Sequence, residues 1–321
     1  MRVSAAGNMP LQGLVKPPAK PVVMISIRER KATMNIILYE ILISLSTGLM
    51  YFLTAAGMSI VVSGMNVINF GQGQFYMLGT LICFSLWKLT GSFALSVIAA
   101  MLIVGLCGGF ITEHLLRPLY GKPMLYQLLL TMGIGYVIQD MFVMFWGSNI
   151  VTMKAPSYLN FRVKMLGMKF PAYYLFLIAV SFVICIIMLF VFKKTKIGMT
   201  FRAIITNRDM VSCMGVNVKK LNTIMMMVGI GLSALAGALN LCITGTTTTA
   251  EPTVTSTAMC ILIIGGIAEI KGAFVASLLV GFATTFGAMY LPQYYSLLPS
   301  ILMVIVLLIK PEGLCGKRER N

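Results

Sequence analysis

Long apolar runs recur along this chain, at about Ile36–Val62, Phe93–Thr112, Pro123–Trp146, Tyr173–Phe192, Leu221–Thr244, Ala273–Leu291 and Tyr295–Ile309. Most approach the roughly 20 residues that a helix needs to cross a bilayer. In hydrocarbon every backbone N–H and C=O must find a partner within the protein, so such runs become helices. Two shorter runs, Phe75–Leu89 and Thr257–Ile270, are ambiguous by length. Composition agrees: 58% of residues are hydrophobic, 11% are charged and the mean hydropathy is +0.91, far more apolar than a soluble domain of this size. The predicted fold is an all-α, polytopic integral membrane helix bundle. The first apolar run is too long for a cleavable signal peptide and lacks a small-residue cleavage site.

The net charge of +16 does not point to nucleic acid. Lys and Arg gather in loops and tails, which is how the cytoplasmic side of a membrane chain is marked. Lys193–Lys220 carries Lys193, Lys194, Lys196, Arg202, Arg208, Lys219 and Lys220 against the single acid Asp209. The amino-terminal tail has Arg2, Lys16, Lys20, Arg28, Arg30 and Lys31, and the carboxyl-terminal tail has Lys310, Lys317, Arg318 and Arg320. These charges predict that all three segments are cytoplasmic. An even number of crossings must then precede Lys193, yet five apolar runs do, counting Phe75–Leu89. The stretch near 63–89, which contains Gly71 and Gly73 and a short apolar body, is therefore expected to be broken or re-entrant. With Thr257–Ile270 as a short crossing, about eight transmembrane helices are expected, with both termini inside. Ser148–Phe170 disagrees, since it would be external yet carries Lys154, Arg162, Lys164 and Lys169.

Three regions result. Residues 1–33 form a basic, Pro-rich tail expected to lack a fold. Its charges suit anionic lipid heads, and Met34, which opens onto the first run, is an alternative start. Residues 34–310 form the membrane domain, with the basic loop 193–220, and residues 311–321 form a cytoplasmic tail.

The basic loop contains a short amphipathic helix with readable ends. Asn207 suits an N-cap, Asp209 the first turn, and Gly215 a C′ stop. Met210, Val211 and Met214 fall at i, i+1 and i+4 and make a small apolar face. Such a short helix is marginal alone in water, so it is expected to dock on a cytoplasmic partner.

Asn66, Asn69, Gln72 and Gln74 lie in or beside the broken segment. Two readings stay open: they line a translocation pathway, or they satisfy the interrupted backbone. Glu40 and Asp140 lie inside apolar runs, where a carboxylate is costly, but both can reach an interface. Small residues such as Gly229, Gly231, Gly237, Gly265 and Gly272 predict close helix packing. The seven cysteines form no CxxC pair, and His114 stands alone, so neither a metal site nor a catalytic constellation is predicted.

Four collinear segments resemble the permease of branched-chain amino-acid ABC importers, the LivH type. Gly64–Thr80, GMNVINFGQGQFYMLGT, is similar to that family's V-I-N-F-A-H-G block, which an acid follows. Arg117–Asp140 opens RPLYG, and Lys196–Leu239 holds the counterparts of its R-A, L-G-I-N and A-G motifs. Ile263–Gly281 begins IIGG, and the closing Ile309–Gly316, IKPEGLCG, resembles R-P-x-G-L-x-G. The resemblance runs from about Met34 to Gly316. Gln72 and Gln74 replace the usual His and acid, and Glu269 and Ser277 also depart from the pattern.

The resemblance implies a bacterial inner-membrane permease subunit for branched-chain or other apolar amino acids, without an ATPase site of its own. Arg202, Asn207, Asp209, Met210, Met214 and Gly215 would belong to a coupling helix. The implied partners are two ABC ATPase subunits that bind ATP and Mg, a second homologous permease, an extracytoplasmic amino-acid-binding protein and membrane lipid. This chain has no GxxxxGK phosphate loop. A same-type permease for urea, amides or another small solute is the nearest alternative. An ATP-independent secondary transporter is a further one, but it would need an ion relay, and the few intramembrane carboxylates argue against it.

Overall fold

A computed structural model describes residues 22–147, 150–165, 168–246, 251–267 and 269–316. α1 (Val22–Met65) begins just after Pro21, inside the stretch expected to be an unfolded tail. That expectation is corrected from Val22 onward: Val22–Thr33 holds neither Pro nor Gly, so nothing there stops a helix. Residues 1–21, and Lys317, Arg318 and Arg320 of the other tail, lie outside the described residues.

Next come α2 (Gln72–Thr90) and α3 (Phe93–Ile103), which passes through a π turn at Val104–Gly108 into α4 (Gly109–Leu116). α5 (Met124–Trp146) leads to an antiparallel hairpin of β1 (Arg162–Met165) and β2 (Met168–Pro171), a small departure from the all-α expectation. α6 (Ala172–Lys194), α7 (Lys196–Thr206), α8 (Arg208–Cys213) and α9 (Val218–Asn240) follow, and α10 (Glu251–Gly265), α11 (Ile270–Tyr290) and α12 (Leu298–Ile309) complete the order. Among the described residues, 6 helical stretches are long and apolar enough to cross a membrane, and α10 and α12 are shorter apolar helices.

Contacts along the helices fix their directions. Where α1 enters its apolar span, Tyr39 packs edge-on against Phe170 just before α6, with centroids 5.3 Å apart. Further along, Ser181 of α6 donates to Met50 Sδ at 3.8 Å. At the far end, a Cβ on Gly64 would meet Phe201 of α7 and Met225 of α9. α1 therefore runs the same way as α6, and its amino end lies at the face opposite the basic loop. After Met65 the chain climbs back through Asn66–Gly71, and α2 continues to the other face, where Ser85 meets Trp146 at the end of α5. All five segments before Lys193 thus alternate in direction. This corrects the expectation that both termini lie inside: the chain enters the bundle from the face opposite Lys193, and the segment near 63–89 is broken yet still crosses. The parity argument failed because it weighted the amino-terminal charges equally with the loop charges, while the hairpin at that same face is also basic.

α9 is the spine of the bundle and is buried along most of its length. Its small residues let neighbours approach backbone to backbone, where lipid-bathed helices gain most from dispersion. A Cβ on Gly57 would lie 2.3 Å from the Gly229 carbonyl, and one on Gly79 would lie 2.4 Å from Ala234 Cα. The π turn sits where α3 and α4 press on the same helix, with Gly105 against Gly231 and Gly109 against Met227. At the basic face the chain end returns to close α10: Leu314 N donates to Ile264 O at 2.7 Å and Cys315 N to Gly265 O at 3.2 Å. These bonds occupy carbonyls that a helix end otherwise leaves unpaired.

A compartment-sensitive reporter placed ahead of Val22 is expected to report the opposite side from reporters placed after Thr206 or after Gly316. One compartment for all three would refute this topology. Gly79→Leu is expected to abolish a monodisperse peak in size exclusion of the detergent extract, since overpacking against backbone costs more than about 3 kcal/mol. Gly133→Leu, which has nothing within 4 Å, is expected to keep the peak.

Candidate functional site: the interrupted segment and the basic face

The interruption between α1 and α2 is held by side chains. Asn66, at φ 54, is the left-handed residue that ends α1, and its N–H donates to Val62 O at 2.9 Å. Asn69 Oδ1 accepts from Gly71 N at 3.0 Å, and its amide donates to Gln72 Oε1 at 3.3 Å. Gln72 Nε2 donates to Gly229 O at 3.2 Å and to the Ser233 hydroxyl. Phe70 N donates to Thr131 Oγ1 at 3.3 Å, and Gly73 N to Thr255 Oγ1 at 3.0 Å. These bonds occupy the main-chain groups that the break frees at membrane depth. Asn69 and Gln72 are both 0% exposed, so they serve the fold and are not presented to a solute. Of the four residues weighed for a pathway, Gln74 borders a cavity between α5 and α10 and packs against Gly135 of α5, and Asn66 is exposed.

At the basic face the short helix expected between Asn207 and Gly215 is α8, and a second helix, α7, precedes it. Asn207 adopts extended backbone between them and accepts from Met210 N at 3.0 Å, so it caps α8 as expected. α7 has its own cap, Thr195, whose hydroxyl accepts from Gly198 N at 3.2 Å. Phe201 and Ile204 seat α7 on the bundle, with Phe201 edge-on to Phe192 at 4.8 Å. The Arg202 guanidinium donates to the Phe192 carbonyl near the end of α6, where a cation is favoured. α8 ends on Gly215 at φ +83, a conformation that favours glycine. Of its apolar trio only Val211 is buried, while Met210 is 63% and Met214 77% exposed. The side chain of Asp209 lies outside the described residues.

Sequence reasoning missed the polar cluster that joins α8 to the bundle. Glu113, 0% exposed, accepts from Arg117 Nε at 2.9 and 3.1 Å, and from Thr223 Oγ1 of α9 at 3.0 Å. Arg117 Nη2 also donates to Thr223 Oγ1 at 3.2 Å. Beside this clamp the Arg208 guanidinium lies over the Tyr120 ring, 5.6 Å from its centroid. The Asn222 amide, oriented so that its oxygen accepts from Arg208 Nη2 at 2.6 Å, donates to Val218 O at 3.3 Å. Burial and the Glu113 charge push the Tyr120 hydroxyl well above its ordinary range. The i, i+4 spacing of Glu113 and Arg117 was the available signal. The carboxylates that were weighed lie elsewhere: Asp140 is exposed on α5, and Glu40 is half-buried on α1, a turn into its apolar span. No group of three or more potential metal ligands occurs among the described residues.

A buried carboxylate stripped of its cation is costly, because the charge stays where water cannot reach it. Arg117→Ala is therefore expected to lower the melting temperature of the solubilised protein more than Glu113→Gln, which keeps shape and removes the charge. Equal or reversed losses would show that the pair contributes nothing specific.

The family described as the branched-chain amino acid transport system / permease component matches residues 40–307. The chain is 26% identical over 296 residues to the high-affinity branched-chain amino acid transport system permease protein BraD of Pseudomonas aeruginosa, covering 88% of this chain and 96% of the relative. Against LivH of Escherichia coli it is 25% identical, covering 85% and 93%. Against a probable LivH of Methanocaldococcus jannaschii it is 24% identical, covering 82% and 88%. No solved structure matches the chain.

Proposed function

We propose, for a chain that belongs to the branched-chain amino acid transport system / permease component family, that α7 and α8 couple a membrane pathway to a separate ATPase. The chain is a multi-pass protein of the inner membrane. It acts as the membrane-spanning permease subunit of an ATP-binding-cassette importer for branched-chain or other apolar amino acids. The observation that carries this reading is the exposed pair Met210 and Met214 on a capped helix within a basic segment. Methionine side chains adapt to a partner's groove, and the surrounding Lys and Arg suit an acidic rim. Because Arg208 reaches Tyr120 and Asn222, a force on α8 passes directly to the ends of α4 and α9.

This face carries Lys122, Lys193, Lys194, Lys196, Lys219, Lys220, Lys271 and Lys310, which makes it the cytoplasmic one. The amino end of α1 and the hairpin then face outward, toward an extracytoplasmic binding protein. Two ATPase subunits bind ATP and Mg below this face, and a second homologous permease completes the pathway.

The test is uptake of labelled leucine by cells expressing this chain with its partner subunits, competed by valine, alanine, urea and ribose. Saturable leucine uptake that vanishes when the ATPase is inactivated is the expected result, and uptake that survives would overturn the coupling reading. Competition by urea alone would keep the architecture and change the solute. Gly215→Val, strained at φ +83 though nothing lies within 4 Å, is expected to cut uptake several-fold at an unchanged membrane level.

A further inference from the structure

The described residues enclose two larger cavities, of about 590 and 580 Å³, lined by apolar side chains apart from Thr112, and those walls suit lipid tails. A much smaller cavity, of about 120 Å³, lies inside the bundle between α1, α2 and the end of α9 and differs in kind. It is lined by Ser46, Thr47, Tyr51 and Thr54 of α1, Tyr76 of α2 and Asn240 of α9. No Lys, Arg, His, Asp or Glu occurs among its described lining residues.

Hydroxyls inside an apolar helix commonly return to their own backbone. Ser44 of α1 donates to Glu40 O at 2.7 Å, and Thr80 of α2 to Tyr76 O at 3.1 Å. Ser46, Thr47 and Thr54 do not follow them. Ser46 is 1% and Thr54 3% exposed, and the three hydroxyls have no hydrogen-bond partner among the described residues. Buried hydroxyls without partners are costly, so this wall holds a guest.

Three constraints narrow the guest. The volume takes about four waters and lies below the ~300–1,000 Å³ usual for small-molecule sites, so the guest is water or a small ion. The wall also offers acceptors in excess. Both amide hydrogens of Asn240 are committed, to Tyr76 Oη at 2.6 Å and to Thr244 Oγ1 at 2.7 Å, which leaves Oδ1 to accept. α9 ends at this same residue, and a helix end presents carbonyls and partial negative charge. Finally, the wall has no carboxylate, the ligand on which calcium and magnesium rely. Neutral oxygens at a helix end within a membrane suit a monovalent ion instead. We infer that this cavity is a site for one alkali cation, coordinated by the Thr47 and Thr54 hydroxyls and Asn240 Oδ1. The ion ties α1 to the end of α9. This inference does not rest on the importer reading, because the site needs no solute and no ATPase.

The test uses the full chain extracted with its partner subunits. The melting temperature is followed in sodium, potassium or lithium chloride and, at equal ionic strength, in N-methylglucamine chloride. A rise of at least about 2 °C in one alkali salt over N-methylglucamine is the expected result. Thr54→Val keeps the shape and removes the hydroxyl. It is expected to abolish that rise while melting no lower than the parent in N-methylglucamine. Ser44→Ala, whose hydroxyl is already bonded to Glu40 O, is expected to keep the rise.

Equal melting of the parent in all the salts would make the cavity a water pocket and overturn the inference. A rise that Thr54→Val retains would place the ion elsewhere and overturn it too. Equilibrium binding of radioactive sodium and rubidium covers the case in which Thr54→Val does not fold. Binding of one of them to the parent complex that Thr47→Val removes is the expected result, and binding that Thr47→Val leaves intact sinks the site.

Discussion

Helices in lipid gain nothing from hiding apolar surface from water, so they must earn contact by fit, and in this bundle the fit is made by α9. Gly229 lies on Gly57, Ala234 on Gly79, Gly237 on the Tyr76 carbonyl and Gly231 on Gly105. At Gly57, Gly79, Gly229 and Gly237 the main chains come to a separation that a larger residue forbids. The same closeness lets Gln72 reach the Gly229 carbonyl and the Ser233 hydroxyl, and so ties the broken segment to the spine. Replace the small residues and both the packing and the anchorage of the break are lost together.

The membrane-crossing helices were legible because hydrocarbon permits few alternatives for a long apolar run. The ends of α8 were equally legible, since a cap is local chemistry: Asn207 can bond Met210 N whatever the rest of the chain does. The direction of α1 was not. It depends on Tyr39 meeting Phe170 and Gly64 meeting Phe201, contacts between residues more than a hundred positions apart. The same distance in sequence hid the partners of Gln72. Without Gly229 and Ser233 in view, a glutamine in a broken segment reads equally well as a pathway residue or as a brace. Glu113 escaped notice because it lies at the end of an apolar run, and its second partner, Thr223, is on another helix.

The two faces of the bundle are built by different means. At the basic face, charge and caps dominate: Glu113, Arg117 and Thr223 clamp α4 to α9, while Asn207, Asn217 and Thr195 each close a helix start. At the opposite face, aromatic edges and hydroxyls do the joining, as with Tyr39 on Phe170 and Tyr173 bonded to the Leu239 carbonyl. Polar links hold direction more strictly than apolar ones, because they fail when their geometry is lost.

The return of Leu314 and Cys315 to the end of α10 sets an order in time. The carbonyls of Ile264 and Gly265 are synthesised well before the amides that occupy them. A nascent chain therefore holds α10 with an open end until Leu314 and Cys315 leave the ribosome. Chains released short of Leu314 would carry that defect permanently, and a quality-control protease surveying the membrane would meet an unfinished helix in every truncated copy.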